Sequence, residues 1–176
     1  DGYLLNSDEL LAEHPGDASG LSVPELLAEL FSRMGTKLFS ALDGAYSAAF
    51  YDGSDLYVLR DALGEKPIYF APDCGGTFLF SSEIKAFLVK DGFDASPCLT
   101  SLYNLMVFSF VPGEETAFKG ARELPPGHYV KCSDSKSYEL HQYWDVKEDI
   151  NHESSEAEYV ERIRDLLQHA PIQKKF

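Results

Sequence analysis

The stretch Leu42–Ala86, LDGAYSAAFYDGSDLYVLRDALGEKPIYFAPDCGGTFLFSSEIKA, decides how this chain folds. Four apolar and aromatic runs, AYSAAFYD, DLYVLRD, KPIYFAP and TFLFSS, are separated by short loops containing Asp-Gly, Ala-Leu-Gly and Cys-Gly-Gly. Loops this short join antiparallel neighbours, so the pattern predicts an antiparallel meander. Arg60-Asp61 closes the second run, Gly64 permits a positive φ and Pro67 fixes the start of the third run. That combination predicts a tight, charge-braced hairpin. Ser82 is then placed to cap a short helix, EIKAFLVK, which ends before Gly92.

Upstream of this block the sequence reads as helix. Asn6 or Ser7 can cap a short helix carrying Leu10 and Leu11, and HPGDASG after it reads as loop. Ser22 with Glu25 three residues on forms a capping-box pattern, and Pro24 sits where its missing donor costs nothing. Leu26, Leu27, Leu30 and Phe31 make one apolar face, Gly35 closes the helix, and TKLFSALDG supplies another helical turn. Downstream, TSLYNLMVFSF has helical apolar spacing, a turn-rich passage returns to a strand ending in VKC, and YELHQYWDV is one more strand. After Asp145 the chain becomes strongly charged. Ser155 with Glu158 caps a last helix whose Tyr159, Ile163, Leu166 and Leu167 share one side, and Pro171 is expected to break it.

Composition bounds the functional classes. A chain of 176 residues, 44% hydrophobic and 13% aromatic, buries one good core, so we expect a single globular domain with an appended segment. Twenty-nine acidic against fifteen basic residues give a formal charge of −14, which repels phosphate backbones and anionic lipid. Nucleic acid is therefore not an expected partner. No apolar run is long enough to insert across a membrane, no signal-peptide pattern opens the chain, and Asp1 reads as a mature or trimmed start. Cys74, Cys98 and Cys132 lack metal-ligand spacing and would leave an odd thiol, which favours a reducing compartment. The histidines are scattered, with His128 and His141 in strands and His152 and His169 near a helix. No metal ligand, cofactor or general base is assigned from them.

Three blocks carry a family resemblance: LDGAYSAAFYD with LRDALGEKPIYFA, then FSSEIKAFL, then LYNLMVFSFVPGEETAFKGARELPPGHYV followed by QYWDV. In order and spacing they resemble the glutamine amidotransferase domain at the front of asparagine synthetases, over most of residues 42–146. The resemblance implies an α+β fold, the four-layer αββα sandwich of antiparallel sheets found in N-terminal nucleophile hydrolases, here partial. It divides the chain into an amidotransferase-like domain, 1–146, and a linker with an amphipathic helix, 147–176, resembling the start of a synthetase domain. Read bottom-up, Arg60 and Asp61 brace a turn, Glu83 and Lys85 form a solvated or interface ion pair, and the aromatic series from Tyr46 to Phe80 is core and sheet surface.

The same resemblance implies a chemistry and where it should sit. Family members hydrolyse glutamine with a cysteine at the N-terminus whose own α-amine is the base, beside an oxyanion hole. The opening DGYLLN is similar to the family's Asn-Gly-Glu-x-Tyr-Asn strand, so the nucleophile and the arginine loop that grips the substrate carboxylate are expected upstream of residue 1. Asp1 stands in place of the oxyanion-donating asparagine, Tyr3 in place of a substrate-binding glutamate, and Val23 in place of the aspartate that recognises the amino group. Gly2 alone is retained, as a remnant of the substrate-binding pocket, and no catalytic residue is assigned. The synthetase's Ser-Gly-Gly-Leu-Asp-Ser phosphate loop does not occur before Phe176.

Three readings follow. One is a catalytically inactive relative acting as a structural or binding subunit of a larger assembly, with a protein partner covering exposed sheet edges and the C-terminal helix. A second is part of a glutamine-hydrolysing asparagine synthetase whose nucleophile and ATP-binding segments lie outside this chain. A third is a small-molecule module that reuses the emptied pocket.

Overall fold

The computed structural model describes residues 1–13, 21–134, 137–148 and 155–169. The expected loop at 14–20, His152 and the break at Pro171 lie outside them. Two compact units form, Asp1–Asp145 and Val146–Phe176.

The first unit is built in layers because its strands alternate. A five-stranded sheet has the order β1-β2-β3-β7-β8. Its strands are β1 (Gly2–Leu4), β2 (Gly44–Tyr51), β3 (Leu56–Arg60), β7 (His128–Asp134) and β8 (Ser137–Gln142). A three-stranded sheet has the order β5-β4-β6, with β4 at Tyr69–Ala71, β5 at Leu79–Ser81 and β6 at Arg122–Glu123. Every strand pair is antiparallel.

One face of the larger sheet, carrying Tyr46, Phe50, Tyr57 and Leu59, packs against helix α2 (Val23–Met34) and the 3-10 helix Gly35–Ala41 through Leu26, Leu30, Phe31, Leu38 and Phe39. Phe31 stacks on Phe39 at 5.7 Å between centroids and meets Tyr57 edge-on at 5.2 Å, the geometries aromatic quadrupoles favour. The opposite face, with Val58 and Val130, packs on Ile68, Phe70 and Leu124 of the smaller sheet's layer. The outer side of that sheet, at Ala71, Tyr69 and Leu79, is covered by Phe87 and Ile84 of the 3-10 helix Ile84–Val89. Helix, sheet, sheet and short helix are the four layers of an α+β sandwich.

Several sequence expectations need correction. The four central runs do not form one meander: β2 pairs with β3 and β4 with β5, but β3 takes β7 as its second neighbour. The Arg60–Pro67 segment is therefore a corner between sheets instead of a hairpin. Asp61, fully buried, accepts the amides of Leu63 and Glu65 on Oδ1 and of Lys66 on Oδ2, while its own amide donates to the Tyr46 carbonyl. Three bonds from the Leu63, Glu65 and Lys66 amides to one carboxylate hold the chain in a sharp bend that steers it off the larger sheet. The EIKAFLVK segment forms a 3-10 helix, and the hydroxyl that accepts the Glu83 amide is that of Ser81, not Ser82.

Other expectations hold. Helix α1 (Ser7–Glu13) follows Asn6, whose carbonyl accepts the Leu10 amide. The Asn6 side chain serves another purpose, donating to the Ala41 carbonyl and accepting the Asp43 amide, which ties α1 to the start of β2. The Ser22 amide and hydroxyl both donate to the Glu25 carboxylate, and these bonds hold that carboxyl below its ordinary range. Gly35 terminates α2 at φ 59°. Helix α3 (Leu99–Phe108) carries the TSLYNLMVFSF pattern, but Leu99, Tyr103, Met106, Phe108 and the following Phe110 are all exposed. In the second unit, α4 (Glu156–His169) begins at the Ser155–Glu158 pair, with the Ser155 amide donating to Glu158 at 2.7 Å. No helix among the described residues is long and apolar enough to cross a membrane.

Candidate functional site

A cavity of about 440 Å³ opens where the short edge strand β1 and its partner β2 meet α2. Asp1, Gly2, Tyr3 and Val23, the four positions assigned to the pocket by resemblance, all line it. The strand places the first three. Gly2 pairs with Tyr46 and Tyr3 with Ala45, and the Ser47 amide donates to the Asp1 carbonyl at 2.9 Å. Gly2 is required here, since its φ is 117° and an added Cβ would lie 2.0 Å from the Ala45 carbonyl oxygen. Its role in the structure is to let two strands approach. Val23 opens α2, where Pro24 and the Ser22–Glu25 bonds fix the start of the helix.

Sequence reading missed the rest of the wall. Leu27 and Phe31 follow Val23 at intervals of four residues, so the three form one stripe on α2, and all three line the cavity with Leu42 and Phe50. The signal was present in that spacing, beside the Leu26–Leu30 stripe that fills the core. Tyr3 and Val23 are 43% and 44% exposed, which puts them at the mouth, while Leu42 and Phe50 are buried. The chemistry of the wall is apolar with a single ionisable acid. Among the described lining residues only Asp1 bears a carboxylate, and its Oδ2 lies 3.8 Å from Lys66 Nζ in an exposed pair.

Beneath the cavity floor the buried hydroxyl of Tyr46 meets that of Tyr143 at 3.2 Å, and Tyr143 donates to the Arg60 carbonyl at 2.6 Å. Burial pushes both phenols up, Tyr46 far above its ordinary value and Tyr143 up to about 12, so neither is a base at neutral pH. Arg60 itself is structural. One terminal nitrogen donates to Glu123 at 2.7 Å and to the Leu124 carbonyl at 2.6 Å, and the other donates to the Gly64 carbonyl at 2.9 Å. Glu83 and Lys85 form the expected exposed pair at 3.4 Å. The three cysteines are free thiols, and among the described residues no group of three or more His, Cys, Asp or Glu is placed to hold a metal ion. His128 Nδ1 lies 2.7 Å from the Pro126 carbonyl and His141 stacks on Tyr129, both away from the cavity lining.

Layer order and strand pairing define the fold class, a four-layer α+β sandwich of antiparallel sheets. The chain belongs to the Glutamine amidotransferase domain family, which matches residues 2–144. It is 30% identical to asparagine synthetase [glutamine-hydrolyzing] 3 of Bacillus subtilis over 96% of this chain and 28% of that protein. It is likewise 30% identical to amidase chry2 of Gibberella zeae, over 84% of this chain and 22% of that protein. Among solved structures it resembles the allosteric regulatory enzyme of purine biosynthesis, with a TM-score of 0.53 and 20% identity over 82% of this chain and 27% of that one. Glutamine phosphoribosylpyrophosphate amidotransferase from B. subtilis, complexed with ADP and GMP, is similar at a TM-score of 0.52, with 20% identity over 82% of this chain and 28% of that one. The chain thus spans about a quarter of the length of the curated relatives it matches.

Proposed function

We propose that this domain keeps the frame of a class II glutamine amidotransferase without its glutamine chemistry, and acts as a structural or binding part of an asparagine synthetase-like assembly. The observation that carries the reading is the cavity wall. Glutamine is a zwitterion, so a site for it needs an acid for the ammonium and a base for the carboxylate. The lining offers Tyr3 and Val23 where the family resemblance puts acids. Desolvating an unpaired ammonium costs several kcal/mol, so a wall with Tyr3 and Val23 in place of those acids disfavours the family's substrate. Asp1 adds to that, because a carboxylate accepts hydrogen bonds and repels a developing oxyanion.

The binding or structural role draws support from α3. Leu99, Met106 and Phe110 expose an apolar surface of the kind that marks interaction sites. The test is glutamate release from glutamine by the purified chain, where a rate equal to buffer is expected and a rate above it overturns the proposal.

A second reading has its own support: the glutamine-hydrolyzing asparagine synthetases similar to this chain match it over only part of their length. It makes the domain the glutaminase half of a longer enzyme. Ammonia released from glutamine by the full natural protein would favour this reading over the first.

A further inference from the structure

We propose that β8 is a self-pairing edge through which two copies of this chain associate, antiparallel about a two-fold axis at Leu140. Such pairing is independent of whether the domain hydrolyses glutamine. Among the described residues β8 has β7 as its single strand neighbour, so one side of Ser137–Gln142 is an open edge. The register shows which backbone groups face outward. The Tyr143 amide donates to the Gly127 carbonyl, in the same register that sets Tyr129 against His141 and Lys131 against Glu139. Glu139 and His141 therefore bond inward to β7, and by alternation the amides and carbonyls of Tyr138, Leu140 and Gln142 point away from it. Among the described residues none of those outward groups has a hydrogen-bond partner. Natural edges are usually blunted by proline, lysine or a bulge. The strand SYELHQ carries neither proline nor lysine, and its irregularity lies at Cys132–Asp134, opposite its first residue. The edges of the smaller sheet, β5 and β6, are only three and two residues long.

The side chains select a second copy as the occupant, and they select one register. Setting Leu140 against its own counterpart places Tyr138 opposite Gln142, so every outward amide and carbonyl of the three residues is bonded. The intervening pairs are Glu139 with His141 of the second copy, once on each side of the axis. They fall at non-hydrogen-bonded positions, where facing side chains approach most closely, and a carboxylate opposite an imidazole is a favourable cross-strand pair. A slip to the next register that keeps the outward groups paired sets Glu139 against Glu139 in one direction and His141 against His141 in the other. Either slip loses both contacts. Glu139 already lies 3.0 Å from His141 within one chain, and its side chain is 70% exposed, so it can turn to the second copy at small cost. Leu140, 36% exposed, covers its own counterpart at the axis. Each contact is thus returned by its partner, as a two-fold interface requires. An unrelated extended peptide would satisfy the backbone without that reciprocity.

One strand pair is a small contact, so a roughly micromolar dimer is expected. The test is sedimentation of the intact chain over about 1–300 µM in roughly 0.15 M salt, where repulsion between the −14 charges is screened beyond about 8 Å. The mass is expected to rise with concentration from 19.6 kDa to twice that value. In the same series the amides of Tyr138, Leu140 and Gln142 are expected to gain about tenfold protection from hydrogen exchange, while those of Glu139 and His141 are protected throughout. Leu140→Lys, which opposes like charges at the axis, is expected to weaken the dimer about tenfold or more. Glu139→Lys, at an exposed position that does not depend on the core, is expected to weaken it as well and serves if the first variant fails to fold. Met106→Glu, on the exposed apolar face of α3, is expected to leave the dimer unchanged. A monomer at every concentration, including one whose edge captures some other extended peptide, would overturn the proposal. So would a dimer that survives both β8 variants, or one that leaves the Tyr138, Leu140 and Gln142 amides unprotected.

Discussion

The Arg60 guanidinium reaches from β3 across to the Glu123 carboxylate of β6, 2.7 Å away, and so joins the two sheets of the sandwich. The arginine is buried and its Nε finds no partner, while the two terminal nitrogens donate to Glu123, Leu124 and Gly64. A lysine cannot reproduce that fork. Arg60→Lys is therefore expected to lower stability by about 2–3 kcal/mol, read from urea unfolding. Glu123→Gln, which leaves both carbonyl acceptors in place, is expected to cost less, about 1 kcal/mol.

Asp61 tests the corner. Asp61→Asn keeps one acceptor oxygen and puts an amide donor against the Leu63 and Glu65 amides or the Lys66 amide. A loss of about 1–3 kcal/mol is expected in the same unfolding experiment. No change would mean that the bend does not depend on the buried carboxylate.

At the edge strand, Gly2→Ala puts a methyl group into the Ala45 carbonyl. Because β1 is an edge of only three residues, the expected response is local: β1 lifts off β2. Hydrogen exchange at the Ser47 amide, which donates to the Asp1 carbonyl, should lose about tenfold or more of its protection while amides of β3 stay protected.

Much of this frame was legible in the sequence. Val58 and Leu59 point to opposite faces of β3 because successive strand residues do, and the run DLYVLRD shows both as apolar. Helix α2 was readable from Ser22, Glu25, Pro24 and Gly35. The corner at Arg60–Pro67 was not, because its course depends on β7, some seventy residues later in sequence, occupying the second edge of β3. A local reading sees a short Gly-Pro loop and predicts a hairpin. The cavity was half legible. Resemblance pointed to Asp1, Gly2, Tyr3 and Val23, whereas the inward turn of Leu27 and Phe31 depends on how α2 sits over the sheet.

The surface network around β2–β3 sets a pH dependence. The Asp52 carboxyl is held below its ordinary value by the amides of Asp55 and Ser54, with the Tyr57 hydroxyl also donating. Asp55 is lowered by hydrogen bonds from Ser133 and Lys131, and Lys131 is raised in turn by its bond to Asp55. A carboxyl depressed by folding contributes stability above its unfolded pKa, near 4, and that stability is lost as pH falls through the lower folded pKa. An ammonium raised by folding contributes below its unfolded pKa, near 10.4, and the contribution is lost as pH rises through the higher folded pKa. Thermal unfolding against pH should therefore fall off below about pH 4 and above about pH 10. Asp52→Asn should flatten the acid limb and leave the alkaline one.

The most direct test of the account is calorimetric titration of the unmodified chain with glutamine. A cavity walled by Tyr3, Val23 and Leu27, with Asp1 as its one carboxylate, is expected to give no saturable heat at millimolar glutamine. Saturable binding with a Kd at or below about 1 mM, or roughly −4 kcal/mol, would contradict it.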